Sequence, residues 1–276
     1  MKKILVALSF AALTVGLYAI DPESTLALTG SVKEYTKTAY TITEKFGDYY
    51  RAPSAKYVHV FNASGKEIET TELTAKDAFV DRVTYSYDAS DKLITTTCVD
   101  IEGKAIWHIT VTYDENGNKM DESEYNASDI LTGKTIWKFS AKQSEESFYN
   151  ADGALLGKTI TKYDELSRPL EVCQYNAGGT LDEKHTYAYN DANKLSEITY
   201  FDASENQTHK VIYRFDANYA ITEEQTYNSV GKLTVRVIYK YDSNGNVIKT
   251  TTYNVSDKFG TTVNELVDIK EYSYKY

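Results

Sequence analysis

Apolar and polar positions follow two different rules along this chain. At the start, Met1-Lys2-Lys3 leads into an apolar run from Ile4 to Ala19, and Asp21 and Glu23 follow at once. Beyond that point no apolar run of similar length recurs. Runs of about seven to nine residues rich in Thr, Val, Ile and Tyr alternate with short clusters of Asp, Asn and Gly. Such runs have the length and composition of β-strands, and the clusters between them have the composition of turns.

From residue 57 onward one period governs the sequence. Tyr87-Asp88, Tyr113-Asp114, Tyr163-Asp164, Tyr189-Asn190, Phe215-Asp216 and Tyr241-Asp242 mark one class of turn, with steps of 26, 50, 26, 26 and 26. The long step contains a degenerate copy, Phe139-Ser140, so one unit is two residues short. A second class falls 12 residues after most of these, at Val99-Asp100, Tyr125-Asn126, Tyr175-Asn176, Phe201-Asp202, Tyr227-Asn228 and Tyr253-Asn254. Self-similarity at a fixed spacing is the mark of a repeat architecture. In Asp114-Glu115-Asn116-Gly117 and Asp242-Ser243-Asn244-Gly245, Asp opens a type I turn and Gly supplies the positive φ that closes a three-residue hairpin loop. Each 26-residue unit is therefore predicted to be an up-and-down pair of antiparallel strands.

Across such a loop the aromatic before the turn pairs with the residue six places later: Tyr87 with Leu93, Tyr149 with Leu155, Tyr175 with Leu181, Tyr227 with Leu233. Even spacing from Leu93 to Val99 and from Ala105 to Tyr113 then predicts that the aromatic pairs at both strand ends share one face. Tyr85, Trp137, Tyr187, Tyr213 and Tyr239 fall on that face too, so tyrosine rows should line the sheet as cross-strand packing. The opposite face carries Arg82, His108, Lys134, Lys158, Lys184, Lys210 and Arg236, one per unit. These are the candidate ligand-binding residues, as an anion-binding stripe. The competing expectation is a solvated face paired with Glu122, Glu224 and similar carboxylates. Asp121, Glu197, Glu223 and Lys249 are expected to interrupt the tyrosine face. Trp107 and Tyr200 lie outside the aromatic phase.

The turns imply about 17 strands, more than the ~10 that open twisted sheets hold without curling. The predicted fold is all-β: tandem repeats forming one long curved or coiled up-and-down sheet, stabilised by nearest-neighbour contacts. Residues 20–56 would form an N-terminal cap with a degenerate repeat, 57–259 the repeat domain and 260–276 a C-terminal capping strand. An outer-membrane barrel is disfavoured, because a lipid-facing wall needs a continuous apolar band and neither face offers one.

Composition adds limits. The chain has 276 residues, 25 Tyr against nine Phe, and a net charge of −10, which excludes a generic basic nucleic-acid binder. The basic start, short apolar stretch and small residue before polar sequence read as a secretory signal peptide over 1–19. Its removal leaves 28 basic against 40 acidic residues. No later segment resembles a membrane helix. His59, His108, His185 and His209 occupy different phases without metal-ligand spacing, so no metal is expected. Cys98 and Cys173 are placed on opposite faces, six strands apart, and no disulfide joins them. There is no Gly-x-Ser-x-Gly, phosphate loop or dinucleotide fingerprint, so no catalytic residue, cofactor or enzyme activity is expected.

The recurring Tyr-Asp/Asn-x-x-Gly-x-Leu/Val unit, clearest in Tyr241-Asp242-Ser243-Asn244-Gly245-Asn246-Val247 and Tyr227-Asn228-Ser229-Val230-Gly231-Lys232-Leu233, resembles the YD repeats of the RHS family of exported bacterial proteins. MORN-like repeats, also Tyr- and Gly-rich hairpins, are a neighbouring resemblance. The resemblance implies an exported β-repeat protein. The expected function is a non-catalytic scaffold or adhesion-type binding surface at the bacterial envelope, secreted, periplasmic or at the cell surface. Its partner would be a protein or glycan of the envelope. The alternative is a carbohydrate or envelope-polymer binding module using aromatic rows.

Overall fold

A computed structural model describes residues 28–276; the predicted signal peptide lies outside the described residues. The strands are β1 (Glu34–Lys45), β2 (Asp48–Phe61), β3 (Glu67–Thr74), β4 (Phe79–Tyr87), β5 (Leu93–Val99) and β6 (Ala105–Tyr113). They continue as β7 (Lys119–Asn126), β8 (Leu131–Ser140), β9 (Gln143–Asn150), β10 (Leu155–Tyr163), β11 (Pro169–Asn176) and β12 (Leu181–Tyr189). The last are β13 (Leu195–Asp202), β14 (Gln207–Phe215), β15 (Ile221–Asn228), β16 (Leu233–Tyr241), β17 (Val247–Lys258) and β18 (Thr261–Lys275).

Every strand pairs antiparallel with its sequence neighbours, and β1 pairs with β18 from Glu34↔Lys275 to Tyr40↔Ile269. The result is a closed 18-stranded barrel. Closure corrects the expected open or coiled sheet: an open sheet would leave the hydrogen-bonding groups of β1 and β18 unpaired at two edges, and joining them removes both. The segments read as caps, 20–56 and 260–276, supply β1, most of β2 and all of β18, the staves that close the wall. The same closure overturns the resemblance to YD (RHS-type) and MORN-like repeats: the hairpins form a barrel whose first and last strands pair, not a repeat array with free ends.

The turn chemistry is as the sequence predicts. The Asp88 carboxylate accepts from the N–H groups of Ser90 and Lys92 at 2.8 and 2.9 Å, and the N–H of Asp91 donates to the Asp88 carbonyl at 3.1 Å. Backbone N–H of Lys92, foremost, holds the Asp88 carboxyl below its usual range. The fourth turn residue has positive φ throughout, 84° at Gly117 and 60° at Asp91 and Asn193. Gly is the residue best suited there; Asp and Asn tolerate the conformation. Between β8 and β9 the loop shrinks to Ala141-Lys142, with Ser140 paired to Gln143, which accounts for the short unit.

The face assignment needs one correction. Just inside each of the repeated loops the register slips: Ser86 pairs with Thr95 and Tyr87 with Leu93, so Ile94 is an extra, bulged residue. The same slip occurs where Cys98 pairs with Trp107 and Val99 with Ala105. An extra residue reverses side-chain parity along the strand. The aromatics before the two turn classes therefore face opposite ways. Tyr87, Tyr113, Tyr163, Tyr189, Phe215 and Tyr241 share the inner face with Tyr85, Trp137, Tyr187, Tyr213 and Tyr239. Val99, Tyr125, Tyr149, Tyr175, Phe201, Tyr227 and Tyr253 share the outer face with the cations.

Candidate functional site: an aromatic lumen inside an ion-paired wall

The inner wall holds most of the buried side chains, including Cys98, Val111, Trp137, Ile198, Val211, Tyr213 and Tyr239. Its tyrosines do more than pack. The Tyr87 hydroxyl donates to the carbonyl of Glu67 at 2.7 Å, Tyr113 to Leu93 at 2.8 Å, Tyr189 to Pro169 at 2.8 Å and Tyr241 to Ile221 at 2.7 Å. Each acceptor lies 20 residues upstream, immediately before a bulge. The reason is local. The β5–β6 ladder stops at Thr95↔Thr110, leaving the Leu93 carbonyl beyond its end, and Tyr113 on β6 satisfies it. A buried carbonyl without a partner costs ~1–3 kcal/mol, which accounts for Tyr rather than Phe at this position.

Two members of the row depart from this pattern: the Tyr163 hydroxyl bonds the Ser144 hydroxyl at 2.8 Å, and Phe215 has no hydroxyl, which supplies a test. Phe215 packs in the cluster of Ile198, Val211 and Tyr213 together with Leu195, whose carbonyl lies beyond the end of the β13–β14 ladder at Glu197↔Ile212. Phe215→Tyr is expected to raise stability by about 0.5–1.5 kcal/mol, and Tyr113→Phe to lower it by ~1–3 kcal/mol. Urea midpoints at constant slope measure both; a neutral or destabilising Phe215→Tyr would refute the role given to the hydroxyl row.

Between β4 and β12 the inner wall surrounds a cavity of about 700 Å³. Tyr85, Trp107, Trp137, Phe148 and Tyr187 give it an aromatic lining, and Val83, Ile109, Val111 and Val172 an aliphatic one. Its polar lining includes the Lys119–Glu122 pair together with Glu146, Gln174, Asp182 and His185. Lys119 is buried, with its ammonium 2.5 Å from the Glu122 carboxylate and 4.0 Å from the Trp137 ring centroid. Burial pushes the Glu146 carboxyl above its ordinary value, and burial followed by the Glu122 charge does the same to Glu124. At the β12 edge of the cavity, Tyr200 stacks on His209 at 4.1 Å and meets the lining residue His185 at 4.4 Å, while His185 lies 3.0 Å from Glu183. Burial lowers the pKa of His209. Trp107 and Tyr200, the aromatics outside the sequence phase, thus both belong to the inner wall. Their position follows once the bulges are counted. Among the described residues no group of three or more His, Cys, Asp or Glu could hold a metal ion.

The seven candidate anion-stripe residues, Arg82, His108, Lys134, Lys158, Lys184, Lys210 and Arg236, stand in one row on the outer wall. Their carboxylate partners are mostly on adjacent strands, 13 residues upstream: Lys158–Glu145 at 3.1 Å, Lys210–Glu197 at 3.2 Å, Lys134–Asp121 at 3.5 Å, Arg82–Glu69 at 3.6 Å and Arg236–Glu223 at 2.5 Å. Lys184 pairs with Glu205, and His108 lies 3.7 Å from Asp129. The opposite neighbour is often aromatic, with His108 stacked on Tyr125 at 4.7 Å and Lys184 5.0 Å from the Phe201 ring. Glu122 and Glu224, expected as partners, turn inward, and Asp121, Glu197, Glu223 and Lys249 lie with the cations, not on the tyrosine face. The same parity places Cys98 on the inner wall and Cys173 on the outer. Hydrogen-bond and Coulomb contact with Glu223 raises the pKa of Arg236, and the Lys158 ammonium, by hydrogen bond, lowers that of Glu145. Exposed pairs of this kind contribute about 0–1 kcal/mol each.

The fold and its wall thus define a closed antiparallel barrel with an aromatic lumen and an ion-paired exterior. No family model matches the sequence, and a search of curated proteins finds no match. Among solved structures, a porin-like protein from Bacteroides uniformis ATCC 8492 is similar with a TM-score of 0.33 and 10% identity, over 90% of this chain and 99% of that one. A DUF1329 family protein from Desulfovibrio piger ATCC 29098 gives 0.23 and 7%, over 88% of this chain and 85% of that one. TcdB2-TccC3-TEV gives 0.25 and 13%, over 77% of this chain and 16% of that one. None of these likenesses is close enough to assign this chain a function.

Proposed function

We propose that the protein is a non-catalytic binding barrel of the bacterial envelope, standing in an aqueous compartment and holding an amphipathic, lipid-like molecule in its lumen. The observation that carries this reading is the cavity between β4 and β12, lined by both tryptophans and a band of aliphatic side chains. Cavities of this size and lining bind small molecules chiefly by burying apolar surface. A glycan is the poorer occupant. Its hydroxyls need hydrogen-bond partners on every side, whereas Val83, Ile109, Val111 and Val172 offer none and Lys119 is paired with Glu122; the remaining polar groups, such as Gln174 and Asp182, suit a single headgroup. The wall itself argues for water outside. A lipid-facing barrel needs an apolar band about 25 Å tall, and the middle of this exterior is occupied by Lys158–Glu145, Lys210–Glu197 and their counterparts.

Because both tryptophans line the cavity, tryptophan fluorescence, excited beyond the tyrosine absorption band, reports on the lumen. Titration with the polyene fatty acid cis-parinaric acid is expected to show saturable energy transfer from Trp107 and Trp137. Val172→Phe, which intrudes on the cavity without adding a third tryptophan, should weaken binding by tenfold or more. Absence of transfer at saturating acid, with glycan-array binding in its place, would overturn the lipid reading in favour of the carbohydrate one.

A further inference from the structure

One rim of the barrel carries a feature that the repeat does not explain. The β1–β18 ladder ends at Tyr40↔Ile269, the β2–β3 ladder at Ala55↔Thr74 and the β16–β17 ladder at Val235↔Asn254. Beyond those points Thr41–Lys45 pairs only with Asp48–Ala52, and Val255–Lys258 only with Thr261–Asn264. Two ribbons therefore leave the wall side by side, reaching about 13–17 Å at ordinary strand rise. Lys258 on one lies within electrostatic reach of Glu44 and Tyr49 on the other.

Both ribbons end in the same tripeptide, Lys45-Phe46-Gly47 and Lys258-Phe259-Gly260. Both fold it into a two-residue turn with positive φ at each position, 56° and 87° in the first and 52° and 78° in the second. Positive φ at both central positions is the geometry of a type I′ turn, which favours Asn, Asp or Gly first. A bulky side chain at positive φ is disfavoured. Yet both tips place Phe there, fully exposed at 106% and 107%. Turn stability alone would select Asn. The placement of the same unfavourable residue at the apex of two adjacent ribbons points to a use for the ring itself.

We propose that Phe46 and Phe259 insert together into the interfacial region of a lipid bilayer and dock the barrel on a membrane surface by this rim. Two single rings on narrow apices offer far less area than the ~800 Å² per partner of a stable protein interface. They suit the headgroup region, where aromatic ends enter and lysine stems snorkel. Lys45 and Lys258 sit directly behind the rings, and the exposed Tyr49 and Tyr50 follow on β2. The apex 44–51 balances Glu44 and Asp48 against Lys45 and Arg51, whereas the whole chain carries −10, so this end meets a bilayer with little local repulsion. This site is separate from the lumen.

The test is co-sedimentation with vesicles of phosphatidylethanolamine and phosphatidylglycerol at roughly three to one, a composition with a moderate anionic surface. The intact protein is expected to partition onto them. The double variant Phe46→Asn/Phe259→Asn should lose at least tenfold in partition while its thermal midpoint stays level or rises, because Asn suits the turn. Parinaric acid transfer from Trp107 and Trp137 should be unchanged in it, which separates this proposal from the lumen reading. A second variant reports depth: Phe46→Trp in a Trp107→Phe/Trp137→Phe background should shift to the blue on vesicles and be quenched by brominated acyl chains. Failure of the intact protein to partition, or equal partition by the double Asn variant, would overturn the proposal.

Discussion

Raising the pH through about 10 to 12 is expected to unfold the barrel cooperatively, with inner-wall tyrosines ionising as the strands are lost. Burial pushes Tyr85, Tyr189 and Tyr241 up to about 12, and Tyr187, Tyr213, Tyr239 and Tyr274 higher still. Below pH ~10 these phenols are protonated in folded and unfolded chains alike, so they cost nothing. Above it the unfolded chain releases its protons while the folded one holds them. The unfolded state then binds fewer protons, and stability falls with pH until the folded value is reached. A rise of two units is worth at most about 2.7 kcal/mol apiece before screening by lumenal water. Several such groups together match the ~5–15 kcal/mol margin of a typical domain. Phenolate difference absorbance and far-ultraviolet circular dichroism should change together. Tyrosines that titrate near pH ~10 with the strand signal intact would contradict the burial assigned to the inner wall.

The loops were the most legible part of this chain, because their chemistry is local. An Asp or Asn whose side chain caps N–H groups two and four residues on, followed by Gly in the left-handed region, specifies the hairpin without help from the rest of the fold. Strand lengths and the antiparallel order followed. What remained hidden was the bulge beside each loop. Ile68, Ile94, Met120, Leu170 and Ile248 occupy bulge positions after one turn class, yet Ser196 and Thr222 do so equally well. No residue type announces the slip, and one missed residue sends half of the aromatics to the wrong face.

Closure was hidden for a different reason. The seam joins β1 to β18, residues with Cα partners such as Thr36 and Ser273 at opposite ends of the sequence, and neither strand carries the repeat motif clearly. Local pattern has nothing to say about so distant a pairing. The cavity follows from both omissions. Val83, Trp107, Trp137 and Val172 belong to different units, and only curvature with corrected parity brings them to one wall. The hydroxyl row was within reach of sequence reasoning: Tyr outnumbers Phe before the first class of turn, and a preference for the hydroxyl over the plain ring signals a hydrogen bond.

The seam also yields the second large effect. In a Cys98→Ala/Cys173→Ala background, Thr36→Cys with Ser273→Cys places a pair of thiols at directly opposed positions on the outer wall. If the barrel is closed, oxidation joins them within one chain and closes a loop of almost the whole described sequence. Loop-closure entropy for a chain of that length gives up to about 5 kcal/mol of added stability. For a domain of this size that is an increase in Tm of roughly 10–20 °C, reversed by reductant. An open or coiled sheet of the same strands would hold these positions far apart, as its two outermost edges, and oxidation would give only dimers or no bond. Removing Thr261–Lys275 tests the seam from the other side. Deletion exposes β1 and β17 as long unpaired edges, so the truncated chain is expected to aggregate, not to refold as a shorter sheet. A monomeric, cooperatively folded truncation together with an absent intrachain bond would refute closure. It would also remove the basis for a lumen, since the cavity depends on a wall that returns to its own beginning.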